Sequence, residues 1–206
     1  MDRKKDLMKF LLIGFIGIAL SFGISNLKQS FAEDEEHEKD TGALLSVISQ
    51  SKVSLADGIR QATKGTEVPI SAKFELNEKG KLALSVYTAE KGLSVDLQNN
   101  NFKEISGSPE SATWNPESEV IKDEGDLKAA KEQLTILSKV KVSLLDVVEK
   151  AAKEHQGTVI AAMPENEDNK SVCEVKIAKD GKVSEYHYNV VTGNEVKMDK
   201  DANDKY

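Results

Sequence analysis

The sequence predicts an α+β fold made of two repeated modules, each an amphipathic helix packed on a three- to four-stranded antiparallel sheet. Three observations support this prediction. The chain matches itself at an offset of 89 residues, each matching segment contains an amphipathic helix, and each helix precedes short stretches of alternating apolar and polar residues. Helical segments followed by runs of strands are typical of the α+β class.

The repeat is clearest between residues 45–64 and residues 134–153, where nine positions are identical. The identical pairs are Leu45/Leu134, Ser49/Ser138, Lys52/Lys141, Val53/Val142, Ser54/Ser143, Leu55/Leu144, Asp57/Asp146, Ala62/Ala151 and Lys64/Lys153. A match of this density indicates a duplicated module.

Each copy has a recognisable helix start. Ser54 and Ser143 stand just before the helical periodicity, and Asp57 and Asp146 follow three residues later. A serine hydroxyl at this position accepts a backbone N–H of the first turn, and the acidic side chain can reach back to the cap residue. The apolar residues that share one helical face are Leu55, Ile59 and Ala62 in the first copy, and Leu144, Val148, Ala151 and Ala152 in the second.

Alternating apolar residues after each helix predict antiparallel strands joined by glycine-containing turns. In the first copy, the predicted strands are residues 70–76, a strand with Leu82, Leu84 and Val86, and a strand with Leu93, Val95 and Leu97. In the second copy, they are residues 158–163, a strand with Cys173, Val175 and Ile177, and a strand with Tyr186, Tyr188 and Val190. Both copies therefore predict a meander.

The N-terminus is typical of an exported protein. A basic stretch with Arg3 and Lys9 precedes an apolar run over residues 10–24, and Ser30 and Ala32 are small residues at the −3 and −1 positions of a cleavage site. The run is short for a membrane span. Residues 1–32 are predicted to be a signal peptide, with a retained N-terminal anchor as the alternative, and either places the folded part in the periplasm, on the cell surface or outside the cell.

The remaining boundaries follow from composition. The segment between the copies contains Pro109 and Pro116, which favour a linker. The predicted division is an acidic tail at 33–42, a first module at 43–106, a linker at 107–125, a second module at 126–198 and a polar tail at 199–206.

Charge and cysteine content exclude some classes of function. Residues 1–32 contain five of the 28 Lys and Arg and two of the 35 Asp and Glu, so the remaining chain has a net charge near −10. An acidic chain without a basic stripe repels phosphate backbones, which argues against a nucleic-acid partner. Cys173 is the only cysteine, so stability must come from packing rather than from an internal disulfide.

The helix-start and closing-turn motifs of the two copies resemble those of the PepSY module. The second copy has Val-Ser-Leu-Leu-Asp at 142–146 and Thr-Gly-Asn-Glu-Val at 192–196, and the first has Val-Ser-Leu-Ala-Asp at 53–57 and Val-Asp at 95–96. The first copy departs from the pattern at 99–101, where three asparagines replace the usual Thr-Gly. The resemblance implies a secreted or surface module, found among other places in the propeptides of thermolysin-type metallopeptidases, that inhibits or modulates peptidases.

No sequence pattern indicates an active site. Nucleophile-elbow, zincin, P-loop and dinucleotide-binding motifs are missing from the sequence, so we predict a protein that is not an enzyme and has no catalytic residues, metal site or cofactor. His37, His155 and His187 are far apart in the sequence and are predicted to be solvated. Cys173 shares the inward phase of its strand, and Trp114 is expected to fold back onto a module.

The predicted function is therefore binding. The preferred partner is another exported protein, with a peptidase as the class that the resemblance implies, and the membrane is contacted only through the N-terminal segment if it is uncleaved. Tyr87, Asp96 and His187, expected to be exposed on strands, are the candidate binding residues. The alternative is a small-ligand or cation binder that uses the cleft between the modules or the sheet face.

Overall fold

The computed structural model describes residues 41–93, 96–139, 142–167 and 170–197. The predicted signal peptide, the predicted polar tail, His37 and Val95 lie outside these residues. The helices are α1 at 41–47, which continues into a 3₁₀ turn at Ile48–Gln50, α2 at Leu55–Ala62, α3 at Glu124–Leu137 and α4 at Leu144–His155. Within the described ranges, no helix has both the length and the apolar character needed to cross a membrane.

Eight antiparallel strands form one sheet, which confirms the α+β class. The strands are β1 at Val68–Leu76, β2 at Leu82–Ala89, β3 at Phe102–Gly107, β4 at Glu117–Val120, β5 at Thr158–Glu167, β6 at Lys170–Lys179, β7 at Lys182–Asn189 and β8 at Glu195–Val196. Their order is β4-β3-β2-β1-β5-β6-β7-β8. Two four-stranded meanders therefore meet edge to edge, through the pairs Ala72–Ala162 and Lys73–Ala161.

The predicted helix caps are present in the structure. The Ser54 hydroxyl accepts the backbone N–H of Asp57 at 3.1 Å, and the Ser143 hydroxyl accepts that of Asp146 at the same distance. At α4 the two residues form a complete capping box, because the backbone N–H of Ser143 also donates to Asp146 Oδ2 at 3.1 Å. Capping depends only on residues within one turn, so the sequence could predict it.

One face of the sheet packs against α2 and α4 and forms the main core. Leu55 and Ile59 of α2, Leu144 and Val148 of α4, and the inward residues of β1, β2, β5 and β6 belong to one buried cluster. Trp114 is 4% exposed in this cluster and donates its indole N–H to the carbonyl of Gly107 at 3.3 Å, as expected of a residue that folds back onto the core. Cys173 is also buried there, as predicted.

The opposite face is covered in part by α3. Ala130, Leu134 and Leu137 of this helix form a second, smaller core. Their sheet partners are Ile70, Tyr87, Ala89 and Phe102. Because α3 contacts mainly β1 and β5, the polar side chains of β6 and β7 on this face lie beyond its main contacts.

The third strand of the first copy was predicted in the wrong place. Leu93 and Leu97 lie in turns, and the strand that pairs with β2 begins at Phe102. Side-chain hydrogen bonds explain the difference. Asn100, which is buried, accepts the backbone N–H of Lys91 and donates to the carbonyl of Gly92, so polar side chains organise this segment as a loop. The segment at 107–125, predicted to be a linker, contains β4.

Candidate functional site

The polar face of β5, β6 and β7 carries a group of titratable side chains that lie close together. Cys173, Val175 and Tyr188 belong to the main core, so strand alternation turns Glu174 and His187 toward the opposite face. Glu174 and His187 are direct cross-strand partners on β6 and β7. These side chains are positioned by the sheet rather than by loops.

Three residues on this face, Glu165, Glu174 and His187, form what we call the three-strand cluster. Each offers one ligand atom, and the three atoms all lie within 4.8 Å of one another. Their side chains are 16%, 13% and 14% exposed, respectively. His187 Nε2 lies 3.9 Å from Glu165 Oε1 and 2.9 Å from Glu167 Oε2, so the imidazole points at carboxylates.

Burial and mutual repulsion perturb the carboxylates of this cluster. Burial, together with the charges of Glu174 and Glu167, raises the pKa of Glu165 to about 7 against the opposing effect of Lys176. Burial also raises the pKa of Glu174. Burial alone would lower the pKa of Lys176, but attraction to Glu174 and Glu185 raises it overall. The face is therefore short of positive charge.

The matching positions on β1, β2 and β3 carry different chemistry. Ser85 pairs with Lys73 and with Ser106, in the same register in which Glu174 pairs with Met163 and with His187. Glu75 lies two residues after Lys73, as Glu165 lies two residues after Met163. Here the Ser85 hydroxyl lies 2.6 Å from Glu75 Oε1 and 2.8 Å from Ser106 Oγ. The Ser85 hydroxyl also lies 3.0 Å from Glu104 Oε1, and Lys73 pairs with Glu75 Oε2 at 2.7 Å, so serine hydroxyls and a lysine accompany the carboxylates of the first half.

A second histidine lies at the C-terminal end of α4. His155 Nε2 is 3.0 Å from Glu195 Oε2 and 3.1 Å from Tyr188 Oη, and its ring stacks on Tyr186 at 3.6 Å. The Tyr188 hydroxyl in turn donates to Glu154 Oε2 at 3.0 Å. The prediction of solvated histidines was therefore wrong for His155 and for His187. The sequence does not predict either group, because the three-strand cluster forms through strand register and the His155 group forms where the end of α4 packs against β7 and β8.

The three predicted binding residues do not come together. Tyr87 is 6% exposed beneath α3, so the expectation that it is exposed was wrong, and burial followed by the charges of Glu75 and Glu104 raises its pKa. Asp96 is exposed but lies outside any strand, where it accepts the backbone N–H groups of Gln98 and Asn99. His187 does lie on a strand, within the three-strand cluster.

The β4 strand forms one edge of the sheet. All four of its residues are exposed, including Val120 at 46%, and its one strand neighbour in the described part of the chain is β3. The backbone N–H of Ile121 donates to the carbonyl of Phe102 at 2.9 Å. Because N–H groups alternate in direction along a strand, those of Ser118 and Val120 point outward from the sheet.

Comparison with known proteins gives little further information. No protein-family model matches the chain, and no curated protein matches it. A crystal structure of a "putative lipoprotein" from Clostridium difficile 630 is similar over 71% of this chain and 92% of the other, with 18% sequence identity and a TM-score of 0.36.

Proposed function

We propose that this chain is an exported, non-catalytic binding protein of the PepSY type that engages another exported protein, with a peptidase as the preferred partner class. The observation that carries the proposal is the exposed edge strand β4, whose outward backbone groups can pair with an extended segment of a partner. Main-chain hydrogen bonds would supply affinity, and alternate side chains would supply specificity.

Two copies of one module are part of this proposal. Support comes from the strand order, which reads the same outward from β1 and from β5, and from a strand irregularity between Pro69 and Ser71 in β1 and between Val159 and Ala161 in β5. The ion pair of Arg60 with Glu149 joins α2 to α4. These two residues occupy the same position at the offset of 89, as expected of halves related by a pseudo-two-fold axis.

The chemistry of β4 indicates which segments would suit it. Glu117 and Glu119 are paired with Ser106 and Glu104, so they lie on the polar face of the sheet. Val120 lies on the other face and is exposed. An added strand with basic residues at alternate positions, and an apolar residue opposite Val120, would complement both faces.

A proline substitution in β4, compared with an alanine control, tests the proposal. Ser118→Pro removes one outward N–H and no hydrogen bond to β3, and Ser118→Ala keeps that N–H as a matched control. Each variant would carry a photo-crosslinking residue at position 120 and be expressed in the native envelope. We expect a discrete crosslinked adduct with Ser118→Ala that is lost with Ser118→Pro. An unchanged adduct in the proline variant, or no adduct in either, would contradict binding at this edge.

Ligand or cation binding is a second candidate function. The specific observation that favours it is the three-strand cluster, which collects two carboxylates and an imidazole on the polar face of the sheet. A thermal-shift screen with divalent cations and common envelope ligands tests it, because a ligand that binds only the folded state raises the melting temperature. A screen with no shift from any ligand would exclude this function.

A further inference from the structure

We propose that Glu165, Glu174 and His187 form a binding site for a first-row divalent transition metal ion, of which Zn²⁺ is the probe. This inference rests on the second candidate function and narrows it to one ion class and one set of ligands. Three neighbouring strands each supply one ligand, and the three ligand atoms are already within 4.8 Å of one another.

The donor set selects the ion class. Imidazole nitrogen is a ligand that Zn²⁺, Cu²⁺, Ni²⁺ and Fe²⁺ accept readily, whereas Ca²⁺ and Mg²⁺ prefer sites built from oxygen. One histidine and two carboxylates give three protein ligands, which leaves room for water or a fourth side chain in a tetrahedral arrangement. Glu167 is the candidate for the fourth position, because its Oε2 atom already lies 2.9 Å from His187 Nε2.

The other half of the sheet supplies an internal comparison. There the carboxylate of Glu75 accepts from the hydroxyl of Ser85, and Ser106 completes the hydrogen bonds. In the second half the same register positions hold Glu174 and His187, and no hydroxyl group donates to Glu165 among the described residues. Glu75 also pairs with Lys73 at 2.7 Å, and in the second half Met163 occupies the register position of that lysine. A lysine and two hydroxyl groups thus give way to a thioether, a carboxylate and an imidazole, and the last two are metal ligands.

Neighbouring charges set the conditions for binding. Lys176 lies 3.4 Å from Glu174 Oε1 and 3.0 Å from Glu185 Oε1, so it competes with a metal for Glu174 but can stay paired with Glu185. Binding through Nε2 requires a neutral imidazole and ionised carboxylates, so the metal displaces protons.

The test is a titration of the purified, metal-stripped full chain with ZnCl₂ at pH 7.5, in competition with a chromogenic chelator. We expect saturable binding of one Zn²⁺ and a rise in melting temperature, with little effect of MgCl₂ or CaCl₂. His187→Gln and Glu174→Gln should each weaken Zn²⁺ binding by roughly tenfold or more, as loss of ligands does at metal sites. Circular dichroism would show whether each variant is folded.

Two control variants make the result specific. Glu119→Gln removes one charge from the polar face of the other half of the sheet, away from the proposed ligands and from Lys176, and it should bind Zn²⁺ nearly as well as the unmodified chain. His155→Gln tests the other histidine group, with Glu154 and Glu195, and should also retain binding. Absence of saturable Zn²⁺ binding, or binding that survives His187→Gln but not His155→Gln, would overturn the proposal. Neither result tests partner binding at the β4 edge. If the thermal screen finds a cation that prefers oxygen ligands, or an organic ligand, the second candidate function holds even though the Zn²⁺ site does not.

Discussion

Gly58 and Leu84 offer a stringent test of the proposed duplication of one module. Gly58 lies in α2 with its α-carbon against the sheet, and a β-carbon added there would lie 2.4 Å from Leu84 Cδ2, which is too close. Leu84 is fully buried, so it has little room to move. At the offset of 89 the corresponding residues are Val147 and Cys173, both buried in the main core. The larger helix residue is thus matched by a smaller strand residue.

The sizes of the expected effects follow from this packing. Gly58→Ala gains about 1 kcal/mol of helix propensity and loses about 1–3 kcal/mol to overpacking, so its net cost is about 0–2 kcal/mol. Gly58→Val should cost more, about 2–3 kcal/mol, because two γ-methyl groups add to the β-carbon beside the same strand. Leu84→Cys alone should cost about 2–4 kcal/mol, because it leaves a cavity beside the glycine.

The double variant Gly58→Val/Leu84→Cys reproduces the residue pair of the second half. Its cost in the free energy of unfolding should be smaller than the sum of the single costs by about 1–3 kcal/mol, as is typical of residues in direct contact. Urea unfolding of the four proteins gives this coupling energy, with Trp114 as the fluorescent reporter. Additive costs, within about 0.5 kcal/mol, would refute the reasoning that the two halves solve one packing problem in two ways.

Three further predictions use the same unfolding assay or a chemical probe. Because the pKa of Glu165 is raised to about 7 in the folded chain, its contribution to stability is present below its unfolded pKa near 4.5 and is lost as the pH rises through 7. Glu165→Gln should therefore flatten the decline in the free energy of unfolding between pH 4.5 and 7 by on the order of 2 kcal/mol. An unchanged pH profile would count against the burial of this carboxyl. Ser143→Ala should lower the free energy of unfolding by about 1 kcal/mol, because the cap of α4 is lost. The control is Ser138→Ala, because the Ser138 hydroxyl donates to the carbonyl of Thr135 and caps no helix N-terminus, and this change should cost less than about 0.5 kcal/mol. Equal costs would contradict the capping role. Burial raises the pKa of the Cys173 thiol, so a thiol reagent such as DTNB should react with it only after the protein is unfolded in urea. Rapid reaction with the native protein would show that β6 is not packed as described.

Local signals in the sequence predicted the parts of the fold that local chemistry decides. The capped starts of α2 and α4 depend on a serine and an aspartate three residues apart, and both are where the sequence predicts them. The inward phase of Cys173 and the burial of Trp114 follow from strand alternation and from the scarcity of large aromatic residues. The loop after β2 was mispredicted because Leu93 and Leu97 imitate alternation, while Asn100 forms the hydrogen bonds that decide the backbone path.

The candidate site depends on relations that the sequence does not specify. Tyr87 has the pattern of an outward strand residue, and only the placement of α3 on that face buries it. Glu165 and His187 are 22 residues apart, and they meet because two hairpins bring β5, β6 and β7 into one register. A shift of one residue in either hairpin would turn one of these side chains to the opposite face, so hydrophobic alternation alone could not identify the cluster.

The junction between the two meanders joins all eight strands into one continuous sheet, and the proposed pseudo-two-fold relation of the halves depends on it. The most direct measurement is NMR of the isotope-labelled chain, with cross-strand NOEs recorded between backbone protons around Ala72 and Ala162. We expect NOEs between the two strands, slow amide exchange along β1 and β5, and a single rotational correlation time for both halves. Absent cross-strand NOEs, together with independent tumbling of residues 55–120 and 144–196, would contradict the account.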